Sequence, residues 1–252
     1  MQKLMDAFWP GPLTLVVPKG CGMPFEVTGG QDSVGIRCPS HPVASALLKA
    51  VGVPVAAPSA NRFGKVSPTR AAHVLAELGD RIPFILDGEV PEVGIESTIV
   101  SLLDEQPAIL RPGAITAAQI QAVLGVPVKT HGEVSKTPKA NPRVSGALEK
   151  HYSPDAQVWI LDAGELAGVR VEQAALCVGW SDEFLRQADS LREFNPGLTV
   201  EALSNNPAEV AKALYATLRL ADELACQQVL FEKPPVHPAW EALADRLKRA
   251  AA

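Results

Sequence analysis

Ser97-Thr98-Ile99-Val100-Ser101-Leu102, followed by Ala108-Ile109-Leu110-Arg111-Pro112-Gly113 and by Thr116 ahead of Ala117 to Leu124, is the stretch that decides the fold. Two short aliphatic runs, the second closed by Pro-Gly, read as strands, and the threonine reads as the N-cap of a helix. Working outward, further strand-like runs occupy Leu13 to Pro18, Ser33 to Arg37, Val53 to Ala57 and Phe84 to Asp87. Helical patterns lie between them: Val43, Ala44, Leu47, Leu48 and Val51 share one face, and a second helix follows Ser67-Pro68-Thr69, which reads as its cap. Gln2 to Phe8 has the pattern of a helix's last turns. The first half is therefore α/β.

Apolar periodicity stops between Val126 and Pro154, where Lys129, Lys136, Lys139, Arg143 and Lys150 outnumber Glu133 and Glu149. This segment reads as a basic linker or lid. Beyond it come a strand at Gln157 to Leu161, another at Ala174 to Val178, a helix at Ala208 to Leu224, a strand at Val229 to Phe231 and a helix at Trp240 to Ala250. That alternation predicts a small Rossmann-like domain, without the Gly-x-Gly-x-x-Gly fingerprint of a dinucleotide site. The expected organisation is a first domain over 1–127, the linker over 128–156 and the second domain over 157–252.

With 252 residues, 47% of them hydrophobic and 20% charged, the chain can bury a sizeable core. Its net charge of -5 argues against tight nonspecific nucleic-acid binding, which depends on neutralising phosphates. The charge is uneven: residues 1–150 hold 14 Lys/Arg against 13 Asp/Glu, and residues 151–252 hold 9 against 15. An anionic substrate is thus expected in the first half. No apolar run approaches the roughly 20 residues needed to span a bilayer, and the start lacks the order of a secretory signal, so a cytoplasmic address is expected. Cys21, Cys38, Cys177 and Cys226 are scattered, which predicts reduced thiols and no metal set.

No Walker loop, nucleophile elbow or paired histidines on a helix are present. What remains is a set of polar residues at strand ends, where ligands collect in open α/β sheets. Ser33 and Arg37 bracket one strand, Pro58-Ser59-Ala60-Asn61 follows another, Ser67 opens a helix, Ser97 begins a strand and Arg111 ends the next. Taken singly, each hydroxyl could be a turn or cap residue and each arginine a solvated surface group. Together, two guanidinium forks with hydroxyls and a helix start suit a small anion beside a nucleotide. Trp9-Pro10-Gly11-Pro12 reads as a structural turn whose indole packs.

The motifs make the pattern specific. Phe8-Trp9-Pro10-Gly11-Pro12-Leu13-Thr14, Thr28-Gly29-Gly30 with Val34-Gly35-Ile36-Arg37, Ala57-Pro58-Ser59-Ala60-Asn61, Ser67-Pro68-Thr69, Gly94-Ile95-Glu96-Ser97-Thr98 and Leu110-Arg111-Pro112-Gly113 resemble, in order and spacing, the YrdC-like domain. His151-Tyr152-Ser153-Pro154 resembles the linker motif of the two-domain threonylcarbamoyl-AMP synthases, and the remainder resembles their C-terminal domain. The fold implied is a twisted mixed sheet with helices plus a smaller Rossmann-like α/β domain. Members of the family begin with one more strand-helix-strand unit carrying a Lys-x-Arg motif. No such motif precedes Trp9, so the first domain is expected to be shortened at its N-terminus, with an exposed sheet edge.

The resemblance implies a reaction of L-threonine, bicarbonate and ATP, with Mg2+ on the triphosphate, that yields threonylcarbamoyl-AMP and pyrophosphate. The product would feed the tRNA threonylcarbamoyl-transferase machinery. By the family pattern Arg37, Ala57 and Ser97 would contact threonine, while Ser33, Ser59, Asn61, Ser67 and Arg111 would contact or support ATP. Tyr152 would close over the nucleotide and exclude water. No residue is expected to act as acid or base; all of them position. The alternatives are a noncatalytic double-stranded RNA-binding module, with the basic linker giving weak RNA contact, or a shortened inactive paralogue. A scarcity of aromatic residues, 5%, weighs against stacking on RNA bases.

Overall fold

The computed structural model describes residues 1–88, 91–134, 142–146, 148–171 and 173–252. Of the basic linker residues, Lys136 and Lys139 lie outside the described residues. In chain order the elements are α1 (Gln2–Phe8), β1 (Leu13–Pro18), α2 (Phe25–Thr28), β2 (Ser33–Ile36), α3 (Pro42–Val51), α4 (Ala71–Leu78), β3 (Thr98–Ser101), β4 (Ala108–Arg111) and α5 (Ala117–Leu124). They continue with α6 (His131–Val134), β5 (Gln157–Leu161), α7 (Ala163–Leu166), β6 (Ala175–Gly179), α8 (Asp182–Phe194), β7 (Leu198–Ala202), α9 (Pro207–Glu223), β8 (Gln228–Glu232) and α10 (Glu241–Ala250). The chain divides into two units, residues 1–58 with 96–147 and residues 59–95 with 148–252. It is an α/β protein built on two four-stranded sheets.

The first unit holds a mixed sheet in the order β2-β1-β3-β4. β1 runs antiparallel to β2 and parallel to β3, with Leu13 opposite Thr98, and β3 runs antiparallel to β4. Alternation sends Leu13, Leu15, Val100 and Ile109 to one face, where Leu4 of α1 and Ile120 of α5 cover them. Val16, Ile99, Ala108 and Leu110 turn to the other face and pack with Val134. Thr116 caps α5 as expected: its hydroxyl accepts from the Gln119 N–H, and the Gln119 side chain accepts from the Thr116 N–H.

Three expectations need correction. Residues 53–57 and 84–87 are irregular, because a strand exists only through a neighbour's ladder and neither segment pairs with one among the described residues. Val53 is consequently 61% exposed and Phe84 85%. α3 forms with its apolar face where expected, yet none of its residues is buried. The helix expected to start at Thr69 begins at Ala71, because Arg70 before it is extended, at φ -143° and ψ 154°; the Thr69 N–H donates to His73 Nδ1 at 3.2 Å.

The second unit holds a parallel sheet in the order β5-β8-β6-β7. α8 and β7 were not expected from the sequence. Phe184 and Ala188 of α8 cover one face with Leu166, against Ala175, Cys177 and Leu230. Leu214 and Leu218 of α9 and Leu243 and Leu247 of α10 cover the other, against Leu176, Val178 and Phe231. Burial pushes the Cys177 thiol up to about 12, which leaves it inert.

Because α8 follows β6 and α10 follows the adjacent β8 on opposite faces, the C-terminal ends of these strands form the crevice where such sheets bind ligands. Here Glu232 fills it. Its Oε2 accepts from the N–H groups of Trp180 and Ser181 at 2.6 and 2.9 Å, at the start of α8. At Gly179 a side chain could not enter, since a Cβ would lie 2.5 Å from Phe184 Cδ1. At the other end of the unit, α10 holds the start of the His-Tyr-Ser-Pro segment: Arg249 donates to the Leu148 carbonyl, and the His151 N–H donates to the Arg249 carbonyl at 3.1 Å.

Candidate functional site

One end of the mixed sheet gathers the starts of β1 and β3 and the ends of β2 and β4. This register places Thr14 beside Ser97, residues that are far apart in sequence, and their hydroxyls are 2.7 Å apart. Arg111 is buried, at 5% exposure. Its Nε and Nη2 donate to the Ser97 carbonyl at 3.2 and 3.0 Å, its Nη2 lies 3.3 Å from the Ser97 hydroxyl, and its Nη1 donates to the Ser145 carbonyl at 2.9 Å. A guanidinium with this many oriented bonds is held in a single pose. The Arg-Pro-Gly motif follows from the same crowding, since a Cβ at Gly113 would sit 2.4 Å from the Thr98 nitrogen.

Arg37 follows β2 at this same sheet end and is exposed, its fork accessible to a carboxylate. Ser33 is not brought here. It pairs with Pro18 at the opposite end of β2, roughly 13 Å from Arg37 at the rise of an extended strand. Ala57 is exposed within the irregular 53–57 segment. The loop 28–31 is tied to the linker by Arg143, whose Nη2 donates to the Gly29 carbonyl at 2.9 Å and whose N–H donates to Gln31 Oε1 at 2.6 Å. The Trp9 turn is structural as read: its indole N–H donates to the Leu13 carbonyl at 2.7 Å.

In the second unit, Ser59, Asn61, Ser67 and Tyr152 stand on two segments that meet. Ala60 adopts a left-handed φ of 57°, which costs a residue with a Cβ about 1 kcal/mol or more and gives the Ser59-Ala60-Asn61 loop its sharp turn. Asn61 Nδ2 donates to the carbonyls of Arg62 and Lys65 at 2.8 and 3.0 Å, closing the loop on itself. Ser153 N–H donates to the Gly64 carbonyl at 3.1 Å, and Lys65 pairs with Asp155. Tyr152 also has a left-handed φ, 61°, and its ring is 1% exposed, packed on Tyr215 with centroids 5.3 Å apart and beneath the Arg246 guanidinium at 5.4 Å. In this structure the ring faces the unit's core.

Sequence reasoning passed over Thr14 as a site candidate, although it stood in a quoted motif; only the parallel β1–β3 register shows that its hydroxyl meets Ser97. It also passed over Arg219 and Glu77, whose partners lie far away in sequence. Among the described residues no three His, Cys, Asp or Glu side chains gather to hold a metal ion. No helix among them is long and apolar enough to cross a membrane.

Comparison with known proteins finds relatives that match over the length of the chain. Residues 1–113 match the Sua5/YciO/YrdC family model described as "Telomere recombination", and residues 115–252 match the model "Threonylcarbamoyl-AMP synthase, C-terminal domain". The threonylcarbamoyl-AMP synthase of Pyrococcus abyssi is 34% identical over 99% of this chain and 73% of its own length. That of Bacillus subtilis is 36% identical over 99% of the chain and 72% of its own. The crystal structure of P. abyssi Sua5 complexed with L-threonine superposes with a TM-score of 0.81 at 31% identity, over 99% of this chain and 73% of the other. On these grounds the chain belongs to the threonylcarbamoyl-AMP synthase family.

Proposed function

We propose that this protein converts L-threonine, bicarbonate and ATP into threonylcarbamoyl-AMP, pyrophosphate and water, for threonylcarbamoyladenosine modification of tRNA. The observation that carries this reading is the likeness along 99% of the chain to a protein crystallised with L-threonine. In the proposed site Arg37 forks onto the threonine carboxylate, and Ser97, braced by Thr14 and Arg111, faces the amino acid's other polar atoms. The exposed Ala57 lines the same substrate. Ser59, Asn61 and Ser67 meet ATP, and Tyr152 sets the turn of the linker beside them; Ser33, at the far end of β2, is left out of the site.

The threonine nitrogen attacks the bicarbonate carbon, a C–O bond breaks, and the departing hydroxide leaves as water with a proton from the nitrogen, giving a carbamate. A carbamate oxygen then attacks the α-phosphorus in line, the bond to the bridging oxygen breaks, and pyrophosphate leaves. Both steps need orientation more than a side-chain acid or base, since holding reactants together can contribute about 7–11 kcal/mol. Mg2+ would arrive on the triphosphate, where phosphate oxygens and water hold it and it neutralises charge developing on the leaving group. The chain's hydroxyl and guanidinium groups suit the organic substrates better than a bare cation.

Incubation with threonine, bicarbonate and Mg-ATP, followed by mass spectrometry for threonylcarbamoyl-AMP and a pyrophosphate assay, tests the proposal. Product that depends on threonine supports it. Absence of both product and threonine binding by calorimetry sinks it, and RNA binding by that same preparation would leave the binding-module reading.

A further inference from the structure

We propose that Arg219, on α9, is a positioning residue for the nucleotide loop 61–69, acting through Glu77 and two backbone carbonyls. The inference rests on the reading above that Asn61 and Ser67 serve ATP. Arg219 Nε donates to the Ser67 carbonyl at 3.1 Å, and its Nη2 donates to the Val66 carbonyl and to Glu77 Oε1, the latter at 2.6 Å. The other Glu77 oxygen accepts the Arg62 N–H at 2.7 Å. One ion pair therefore fixes three peptide planes: the one after Asn61 and the ones on either side of Ser67.

Those planes decide where the two side chains stand. Holding the Val66 and Ser67 carbonyls toward α9 sets the backbone angles of Ser67, and Pro68 restricts them further. The Glu77 bond to Arg62 does the same for Asn61, whose neighbour Ala60 is already in a left-handed conformation. Val66, Ser67 and Thr69 are all buried, at 2%, 7% and 6% exposure, so the segment is held from within.

A plain stabilising role accounts less well for this arrangement. The side chains of Arg219 and Glu77 are 13% and 16% exposed. A largely desolvated ion pair adds little stability over an apolar pair of similar volume, because the charges lose their hydration. What it adds is direction: a planar fork aimed at two carbonyls and a carboxylate, which no apolar side chain reproduces.

The test uses the full chain with the double substitution Arg219→Met/Glu77→Leu, which removes both charges together so that neither is left buried alone. Dissociation constants for ATP and, without nucleotide, for threonine are measured by titration beside the melting temperature. The expected result is a weakening of ATP binding by about tenfold or more, of the size a misplacement of about 1 Å produces, with threonine affinity within about twofold of the parent. Arg219→Lys, which keeps the charge but cannot fork to all three acceptors, should fall between. A folded double variant that binds ATP like the parent overturns the inference. If the double variant does not fold, Arg219→Lys decides: weakened ATP binding at an unchanged melting temperature supports positioning, and parental affinity overturns it. A parent chain that binds no ATP at all removes the functional reading first and this inference with it.

Discussion

At the C-terminal end of the parallel sheet, Glu232 sets a carboxylate against the first amides of α8. At the end of the mixed sheet, Thr14, Ser97, Arg111 and Arg37 set out hydroxyls and guanidinium groups. The parallel sheet has the topology that usually makes a ligand crevice, yet its crevice is closed by a side chain of its own. Among the described residues the mixed sheet has one parallel pair, β1–β3, yet its end collects the groups suited to an amino acid's carboxylate. Topology offers places for sites; the side chains at strand ends decide which place is used.

The largest expected effect belongs to Arg37→Ala. If the sheet end binds the threonine carboxylate in a pair that substrate binding desolvates, the substitution should weaken threonine binding by roughly 2 to 5 kcal/mol with the melting temperature unchanged. Unchanged affinity by calorimetry would break the comparison at its functional side. Next comes Glu232→Ala, which removes a carboxylate from one buried and one part-buried amide and should cost about 3 kcal/mol of stability in urea unfolding. Threonine affinity should hold, and sulfate should raise the variant's melting temperature more than the parent's by occupying the vacated helix start. Failure of sulfate to discriminate would show that the crevice is not an anion seat at all.

Ser97→Ala separates bracing from contact. It removes a hydroxyl bonded to Thr14 and should reduce threonine affinity by about 1 kcal/mol, with a similar loss of stability. The smallest effect is in pH dependence. Burial opposes ionisation of Glu77, but the Arg62 amide and Arg219 outweigh it and hold its carboxyl below the ordinary 4.5. A depressed folded pKa means stability present above 4.5 and lost as pH falls through the folded value. Glu201 and Asp222, raised chiefly by burial, act in the opposite direction. The Glu77 contribution should therefore be read as the difference between parent and Glu77→Gln unfolding curves from about pH 5 to about pH 3; curves that stay parallel would remove it.

The four strands of the mixed sheet were legible because each is a short run rich in apolar residues that ends at Pro, Gly or a polar residue. The same cues misled at residues 53–57 and 84–87, since a short apolar run shows that a segment can pair but not that a partner lies beside it. α8 was missed although its signals were present: Ser181 caps it, and Phe184, Ala188 and Leu191 recur on one face. β7 was missed although Leu198, Val200 and Ala202 alternate with Thr199 and Glu201, because five residues give too short a pattern to stand out. In the candidate site, motif spacing pointed to Ser97 and Arg111, whereas Thr14 and Arg219 depend on pairings between distant segments that no local pattern encodes.

α10 has a consequence for anyone shortening or fusing this chain at its C-terminal end. Arg249 grips Leu148 and His151 from the last turn of that helix, and Arg246 roofs Tyr152 from the turn before. Trimming a dozen terminal residues would delete no group assigned to a substrate. It would nevertheless unmoor the His-Tyr-Ser-Pro segment, so the tail is better regarded as a hinge pin than as a spare end.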